Sequence, residues 1–564
     1  MKRKIISILL SISLFAVLIP NTAMAQSSSY NDIPQGNWSV SVINKARDYD
    51  LMQGVSDGVF GFGNTITKAE FITVLDRMFG WELITPETAS FLDVTNDQWY
   101  YTYIETALKN NVIEKTQNFD PNDQITREEM AVMLVRGLGY STLAQSTSSI
   151  GNSFNDVVDN VGYITIASDI GMTKGTSATT FSPKQTAKRE EAAAMLVRVY
   201  EKYISKIDWV HGFYALSSYS QRELTKNMDG VSVGWSRMSL NNDKEVYLNT
   251  TSENNNEWKI PLSYEDIISY FKGNSTKTNL SIYMDTSNVS LSDGSKADLC
   301  KTILLDSAKR TQAVNSIVNE LTTNYSTIGY NPYSGVTIDF EGMKGSELKE
   351  GFNAFLTELS SALKPLGKTI YVTVPPATSD GIYYDAYDYH TIGNIADKVI
   401  LMAHDYNETT MPENLLGSEY YKNTPVTPFA SVYYALKAIT DENTGVEDKS
   451  KISLAISFDS VGWNIENSKL ISTQSVNPIP STIYTRLKGG AKMGYSDVYR
   501  NPYIDYTTEE GKEIFLWYED ERSVGDKLQL AKLFGINGVS LWRIGNIPNY
   551  SDGGLYYNVF ESIY

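Results

Sequence analysis

Along this chain the spacing of apolar residues changes character near residue 205. Upstream, apolar side chains recur at helical intervals, and a polar group opens runs such as Met130-Ala131-Val132-Met133-Leu134-Val135. Downstream, short β-branched runs alternate with helical stretches. The runs predict strands over residues 212–216, 230–235, 280–285, 335–341, 369–375, 399–405, 452–458 and 538–542. Helices are predicted over 311–321 and 347–363, and the stretch between Trp463 and Trp517 reads as a β-rich insertion between strands seven and eight. Alternating strands and helices indicate an α/β fold with parallel strands, and eight of them predict a closed (β/α)8 arrangement, the TIM barrel.

The helical third contains an internal repeat. The first copy has Trp38, Ile43 and Ala46, then Ile66-Thr67-Lys68-Ala69-Glu70 and Arg77. The second has Phe91, Asp93-Val94, Trp99, Ile104 and Ala107, then Phe119-Asp120-Pro121, Ile125-Thr126-Arg127-Glu128-Glu129 and Arg136. The third has Phe154, Asp156-Val157, Ile164 and Ala167, then Phe181-Ser182-Pro183, Arg189-Glu190-Glu191 and Arg198. Each copy reads as two helices joined by a loop, over residues 30–88, 89–148 and 149–204. One such unit buries too little to stand alone, so an all-α bundle of three is expected.

Chemistry collects at the C-terminal ends of barrel strands. In Gly335-Val336-Thr337-Ile338-Asp339-Phe340-Glu341 the period of two sends Val336, Ile338 and Phe340 to one face and Thr337, Asp339 and Glu341 to the other. Two carboxylates then stand in the barrel mouth, where repulsion and partial desolvation raise the proton affinity of one. The competing reading is a pair of surface acids at a strand end. On the sixth strand Met402 and His404 share a face beside Asp405, and on the eighth Gly538, Ser540 and Trp542 share one, so both ends aim polar or aromatic groups at the same mouth.

The start of the chain, Met1-Lys2-Arg3-Lys4, an apolar run to Ile19 and Ala23-Met24-Ala25, has the order of a secretory signal peptide over residues 1–25, leaving no membrane partner once removed. A membrane anchor needs about 20 apolar residues without the early Pro20. A formal charge of −18 disfavours nucleic acid as a partner, so an acidic polymer must be held by local cations. Cys300 is the single cysteine, which excludes a disulfide framework and predicts a buried, inert thiol. No metal motif, phosphate loop or Ser/His/Asp arrangement appears, so chemistry without metal or cofactor is expected.

The recurring Thr-Arg-Glu-Glu group resembles that of S-layer-homology modules. The resemblance implies that the basic residue of each copy, Lys68, Arg127 or Arg189, grips an anionic secondary cell-wall polymer, for which a planar guanidinium suits carboxylate or phosphate oxygens. Copy one has lysine at this position, and copy three has Lys188 where Thr126 stands.

The region 206–564 resembles glycoside hydrolase family 18, whose fourth strand reads Asp-Gly-x-Asp-x-Asp-x-Glu, whose sixth carries Met-x-Tyr-Asp and whose eighth ends in tryptophan. The matches are Gly335, Asp339, Glu341, Met402, Asp405 and Trp542. Residues Trp517 to Ser523 look most like the branch acting on spore and vegetative peptidoglycan. The resemblance implies hydrolysis of β-linked N-acetylglucosamine glycans, peptidoglycan before chitin, with the substrate's acetamide as nucleophile. It implies Glu341 as acid and base, Asp339 as the acetamide's support, Trp542 as the floor under the sugar, and Asp405 and Met402 around the acetamide. Three departures stand out: Ser334 and Thr337 at the first two aspartate positions, His404 at the tyrosine, and Tyr283-Met284-Asp285-Thr286-Ser287 in place of a Ser-x-Gly-Gly group. A secreted enzyme at the bacterial cell surface is the expectation, with a non-catalytic glycan-binding lectin or an S-layer structural protein as the alternatives.

Overall fold

The computed structural model describes residues 30–147, 153–291, 294–378, 384–552 and 555–564, so the expected signal peptide lies outside the described residues. The chain forms two compact units, one of residues up to Arg127 with Lys184–Val197, the other of Glu128–Pro183 with Arg198–Tyr564.

In the first unit the segments leading into the second helix of each repeat close a ring. The Ile66 N–H donates to Ala187 O at 3.1 Å, Ala187 N–H to Ile125 O at 3.3 Å, and Ile125 N–H to Ile66 O at 3.1 Å. All three residues are buried, so the ring satisfies backbone groups that water cannot reach. Helix Lys68–Phe79 starts at a capping box: Thr67 Oγ1 accepts from Glu70 N–H, and the Glu70 carboxylate accepts from Thr67 N–H at 2.9 Å.

Each copy also ties its entrance to its loop. Asp32 accepts from the N–H groups of Phe60, Gly61 and Phe62, and Asp93 from those of Phe119 and Asp120, at 2.7 to 2.8 Å. Tyr30 meets Phe60 and Phe91 meets Phe119 with the same geometry, 5.5 Å between ring centroids at 53°. In the second unit Asp156 accepts from Phe181 and Ser182, and Phe154 meets Phe181 at 5.4 Å and 51°. Asp32 and Phe60 thus give the first copy the tie that its sequence alignment, resting on Trp38, did not include.

The second unit contains the barrel. Its strands are β1 (Trp209–Tyr214), β2 (Gly230–Leu240), β3 (Lys277–Met284), β4 (Gly335–Phe340), β5 (Thr369–Val374), β6 (Lys398–Leu401), β7 (Ile452–Ser457) and β8 (Gly538–Ile544). Each pairs in parallel with its neighbours, and β1 pairs with both β2 and β8, which closes the ring. The outward apolar set of β4 packs as the alternation predicts, Phe340 lying 5.3 Å from Phe355 and 5.9 Å from Phe352 of helix Ser346–Leu363. β6 is shorter than expected. It stops at Leu401, and Asp405 has a left-handed φ of 55° that no strand accommodates.

Between β7 and β8 the expected insertion is a five-stranded antiparallel sheet in the order Lys469–Val476, Val461–Glu466, Glu513–Trp517, Asn501–Thr507, Lys492–Ser496, with helix Pro480–Lys488. One face buries Trp463 and Trp517, whose ring N–H groups donate to Thr424 Oγ1 and Tyr421 O. That meets the need of a buried indole for an acceptor.

Candidate active site

Strand register places a row of side chains across the barrel mouth. Arg237 on β2 pairs with Tyr283 on β3, and Tyr283 with Asp339 on β4. Ile338 pairs with Val372, so Thr373 of β5 falls next to Asp339 and its hydroxyl donates to Asp339 Oδ1 at 2.6 Å. Glu341 lies one alternation beyond, where its N–H donates to Met284 O at 2.8 Å. The Tyr387 hydroxyl donates to Phe340 O at 2.5 Å and so fixes the peptide between the two acids.

Both acids bind protons more tightly than ordinary carboxyls. Burial raises Asp339, against the hydrogen bond from Thr373 and the charge of His404. Burial also raises Glu341, and the negative charge of Asp339 adds to it, with smaller contributions from Asp285 and Asp405. Glu341 is therefore suited to carry a proton at neutral pH, and holds it more readily than Asp339 beside it.

Opposite them, His404 Nδ1 lies 2.8 Å from Asp405 Oδ2. Burial opposes the imidazolium, but Asp405, Asp459 and Glu341 more than offset it and raise the His404 pKa. Trp542 remains partly exposed and meets Phe213 edge-on at 5.2 Å, above a cluster of Trp209, Phe213, Tyr371, Ile400 and Ala455. The Trp542–Arg543 peptide is cis. Met402 is partly exposed, its N–H donating to Val374 O.

Beneath the acids runs a chain of uncharged polar side chains. Thr337 Oγ1 is 2.5 Å from Ser232 Oγ, which is 2.8 Å from His211 Nε2. His211 Nδ1 is 3.1 Å from Ser540 Oγ, and Ser540 is 2.8 Å from Ser453. Burial pushes His211 down to about 3, so the ring is neutral and acts as a core link. Its role follows from neighbours on β2 and β8 that only the register reveals. Thr373 had a readable signal in the alternation Thr369, Tyr371, Thr373 on the face that the barrel turns inward. Cys300 is buried, its thiol donating to Asp285 O at 3.2 Å, and burial holds its pKa far up.

Lys68, Arg127 and Arg189 each follow a member of the backbone ring by two residues. Their surroundings differ. Lys68 Nζ lies 3.9 Å from Asp123, with the side chain 17% exposed, and Arg127 is partly exposed. Arg189 is 5% exposed. Its Nε donates to Phe60 O and Nη2 to Gln53 O, both at 3.0 Å, and Nη1 to Glu70 Oε1 at 2.7 Å. A polymer-facing role expected for Arg189 therefore meets a guanidinium already committed to internal acceptors. A cleft of about 580 Å³ on the insertion sheet, lined by residues including Tyr421, Tyr495, Tyr503 and Asp505, shares no residue with the mouth.

The family model for glycosyl hydrolases family 18 matches residues 287–546, and that for the S-layer homology domain matches 29–72 and 90–131. The chain joins an S-layer homology region to a family 18 domain. The cortical fragment-lytic enzyme of Bacillus subtilis is 25% identical over 234 residues, 41% of this chain and 50% of that protein. The exoglucanase XynX of Acetivibrio thermocellus is 33% identical over 190 residues, 32% of this chain and 17% of that protein. The crystal structure of the Bacillus cereus spore cortex-lytic enzyme SleL aligns with a TM-score of 0.46 at 20% identity, over 63% of this chain and 73% of that one. The chain spans from 10% to 55% of the length of the first curated relatives it matches. The family 18 match begins after β3, so the departures in Tyr283 to Ser287 lie at its edge. Among the described residues no helix is long and apolar enough to cross a membrane.

Proposed function

We propose that this protein is a cell-wall-anchored glycosidase that cleaves β-1,4-linked N-acetylglucosamine glycans, peptidoglycan before chitin, with retention and substrate assistance. The observation that carries this reading is the pairing of a proton-holding Glu341 with the buried Asp339 at the barrel mouth. Glu341 gives its proton to the leaving glycosidic oxygen as the substrate's acetamide oxygen forms a bond to the anomeric carbon. Asp339 stabilises the positive charge that develops on the acetamide. Glu341, now a carboxylate, takes a proton from the water that opens the cyclic intermediate, restoring the starting state and the original anomeric configuration. His404, held by Asp405, supplies the acetamide with a donor where the family has tyrosine, Met402 borders that pocket, and Trp542 underlies the ring.

Lys68 and Arg127 are the groups proposed to hold an anionic secondary wall polymer, with Arg189 bracing the site from within. Residues 153–204 are proposed as a third module of the anchor, and the secreted protein is then kept at the cell surface. Release of reducing ends from purified peptidoglycan and from chitin oligomers by the protein and by its Glu341→Gln variant tests the reading. Activity that disappears in the variant supports it. Glycan binding without release of ends by the unaltered protein replaces it with the lectin alternative.

A further inference from the structure

On the far side of Asp339 from Thr373, the row continues into a cluster that the proposed chemistry does not use. Arg237 lies over the Tyr283 ring, 5.3 Å from its centroid. Trp258, from the segment after the short strand Val246–Asn249, stacks on Tyr283 at 4.8 Å and 7°. Gly234 makes room for it: a Cβ at that position would come within about 3.0 Å of the Trp258 ring. The Tyr283 hydroxyl donates to Asp285 Oδ2 at 3.1 Å, and Arg237 Nη2 approaches both Asp285 oxygens at 3.2 and 3.3 Å and Ser287 Oγ at 3.4 Å. The cluster adjoins the acids, for the charges of Glu341 and Asp339 reach the Tyr283 hydroxyl.

Two features suit this cluster to a ligand. The Arg237 and Asp285 side chains keep 28% and 27% of their surface exposed, and Trp258 is partly exposed, so the group faces solvent. The contacts of Arg237 run through Nη2, and among the described residues none accepts a hydrogen bond from its Nε or Nη1. A guanidinium packed over an aromatic ring, with its Nε and Nη1 N–H groups left to donate, suits an anionic oxygen. The surrounding mouth carries Asp285, Asp339, Glu341, Asp405 and Asp459, and the chain carries a net charge of −18, so an anionic ligand meets repulsion wherever such a cation is lacking.

We propose that Arg237, Tyr283 and Trp258 form a subsite for a sugar ring bearing a carboxylate substituent, and that this subsite favours glycan strands containing such a sugar over uncharged N-acetylglucosamine strands. The subsite rests on the glycosidase reading above and names the substrate feature that this reading leaves open. In peptidoglycan that feature is the lactyl carboxylate of N-acetylmuramic acid. The ring packs on Trp258 while its carboxylate accepts an N–H bond from Nη1 or Nε of Arg237.

The test is calorimetric titration of the full chain carrying Glu341→Gln, with and without Arg237→Gln. The probes are a peptide-free tetrasaccharide alternating N-acetylglucosamine and N-acetylmuramic acid, its methyl ester, and the tetramer of N-acetylglucosamine. The parent is expected to prefer the free acid, and Arg237→Gln to weaken that ligand about tenfold while changing the other two less than about twofold. Arg237→Lys, which keeps the charge but not the planar edge, should recover part of the preference. Equal affinity of the parent for acid and ester, equal weakening of all three by Arg237→Gln, or no binding of any of them overturns the proposal. Preference for the acid without turnover by the unaltered protein instead overturns the glycosidase reading and leaves the subsite standing.

Discussion

The Thr373 hydroxyl donates to Asp339 Oδ1 at 2.6 Å, from the strand next to the one that carries the acid. That hydrogen bond favours the ionised carboxylate and opposes the effect of burial. Thr373→Val should leave a buried carboxylate oxygen short of a donor, raise the Asp339 pKa further and lower kcat about tenfold or more at neutral pH. A kcat measured against pH whose acidic limb does not move upward in the variant would show that Thr373 plays no such part.

The pair also sets the shape of the pH dependence. In the proposed mechanism Asp339 acts as an anion, so activity should fall as pH drops through its raised pKa, and Glu341 acts first as an acid, so activity should fall as pH rises through its own raised pKa. A bell with both limbs above the ordinary carboxylate range is expected for kcat/KM, and a plateau extending well into alkaline pH would remove Glu341 from the role of acid.

His404 adds a titration of its own. Its positive charge lowers the pKa of Glu341, so His404→Phe should move the alkaline limb upward. Because the His404 pKa is raised in the folded protein, its contribution to stability is fully present below the unfolded value and is lost as pH rises through the folded one. The Tm of the unaltered protein should therefore decline across that interval by more than that of His404→Phe, as followed by calorimetry.

The three basic residues of the repeats should separate into two kinds. Arg189→Ala removes bonds to two carbonyl groups and the partner of a part-buried Glu70, so it should cost about 2 to 3 kcal/mol in urea denaturation of the first unit. Lys68→Ala with Arg127→Ala should reduce pelleting with purified cell walls. Wall binding unaffected by the double substitution would move the polymer contact elsewhere.

Seven of the eight barrel strands were legible as short runs with β-branched residues between helical stretches, whereas β1 starts at Trp209, ahead of the predicted 212–216, which holds no β-branched residue; the inward set of β4 followed from alternation alone. The end of β6 was not: nothing in Met402 to Asp405 signals that the chain turns through a left-handed residue there. Nor could the sequence disclose the row of Arg237, Tyr283, Asp339 and Thr373, because a row across strands depends on register between segments far apart in the chain. Arg189 posed the same difficulty in the repeats. Its motif matched that of Arg127, but its burial depends on Gln53 and Phe60, 136 and 129 residues away.

The triangle of hydrogen bonds through Ile66, Ala187 and Ile125 bears on which copies the anchor can do without. A chain of modules can shed its last member, whereas a closed triangle loses two of its three sides when one corner is removed. A copy whose side chains hold no polymer is still needed as a corner, because its backbone closes two sides of the triangle. Lys188 in the place of threonine, and an arginine turned inward, leave that backbone contribution intact.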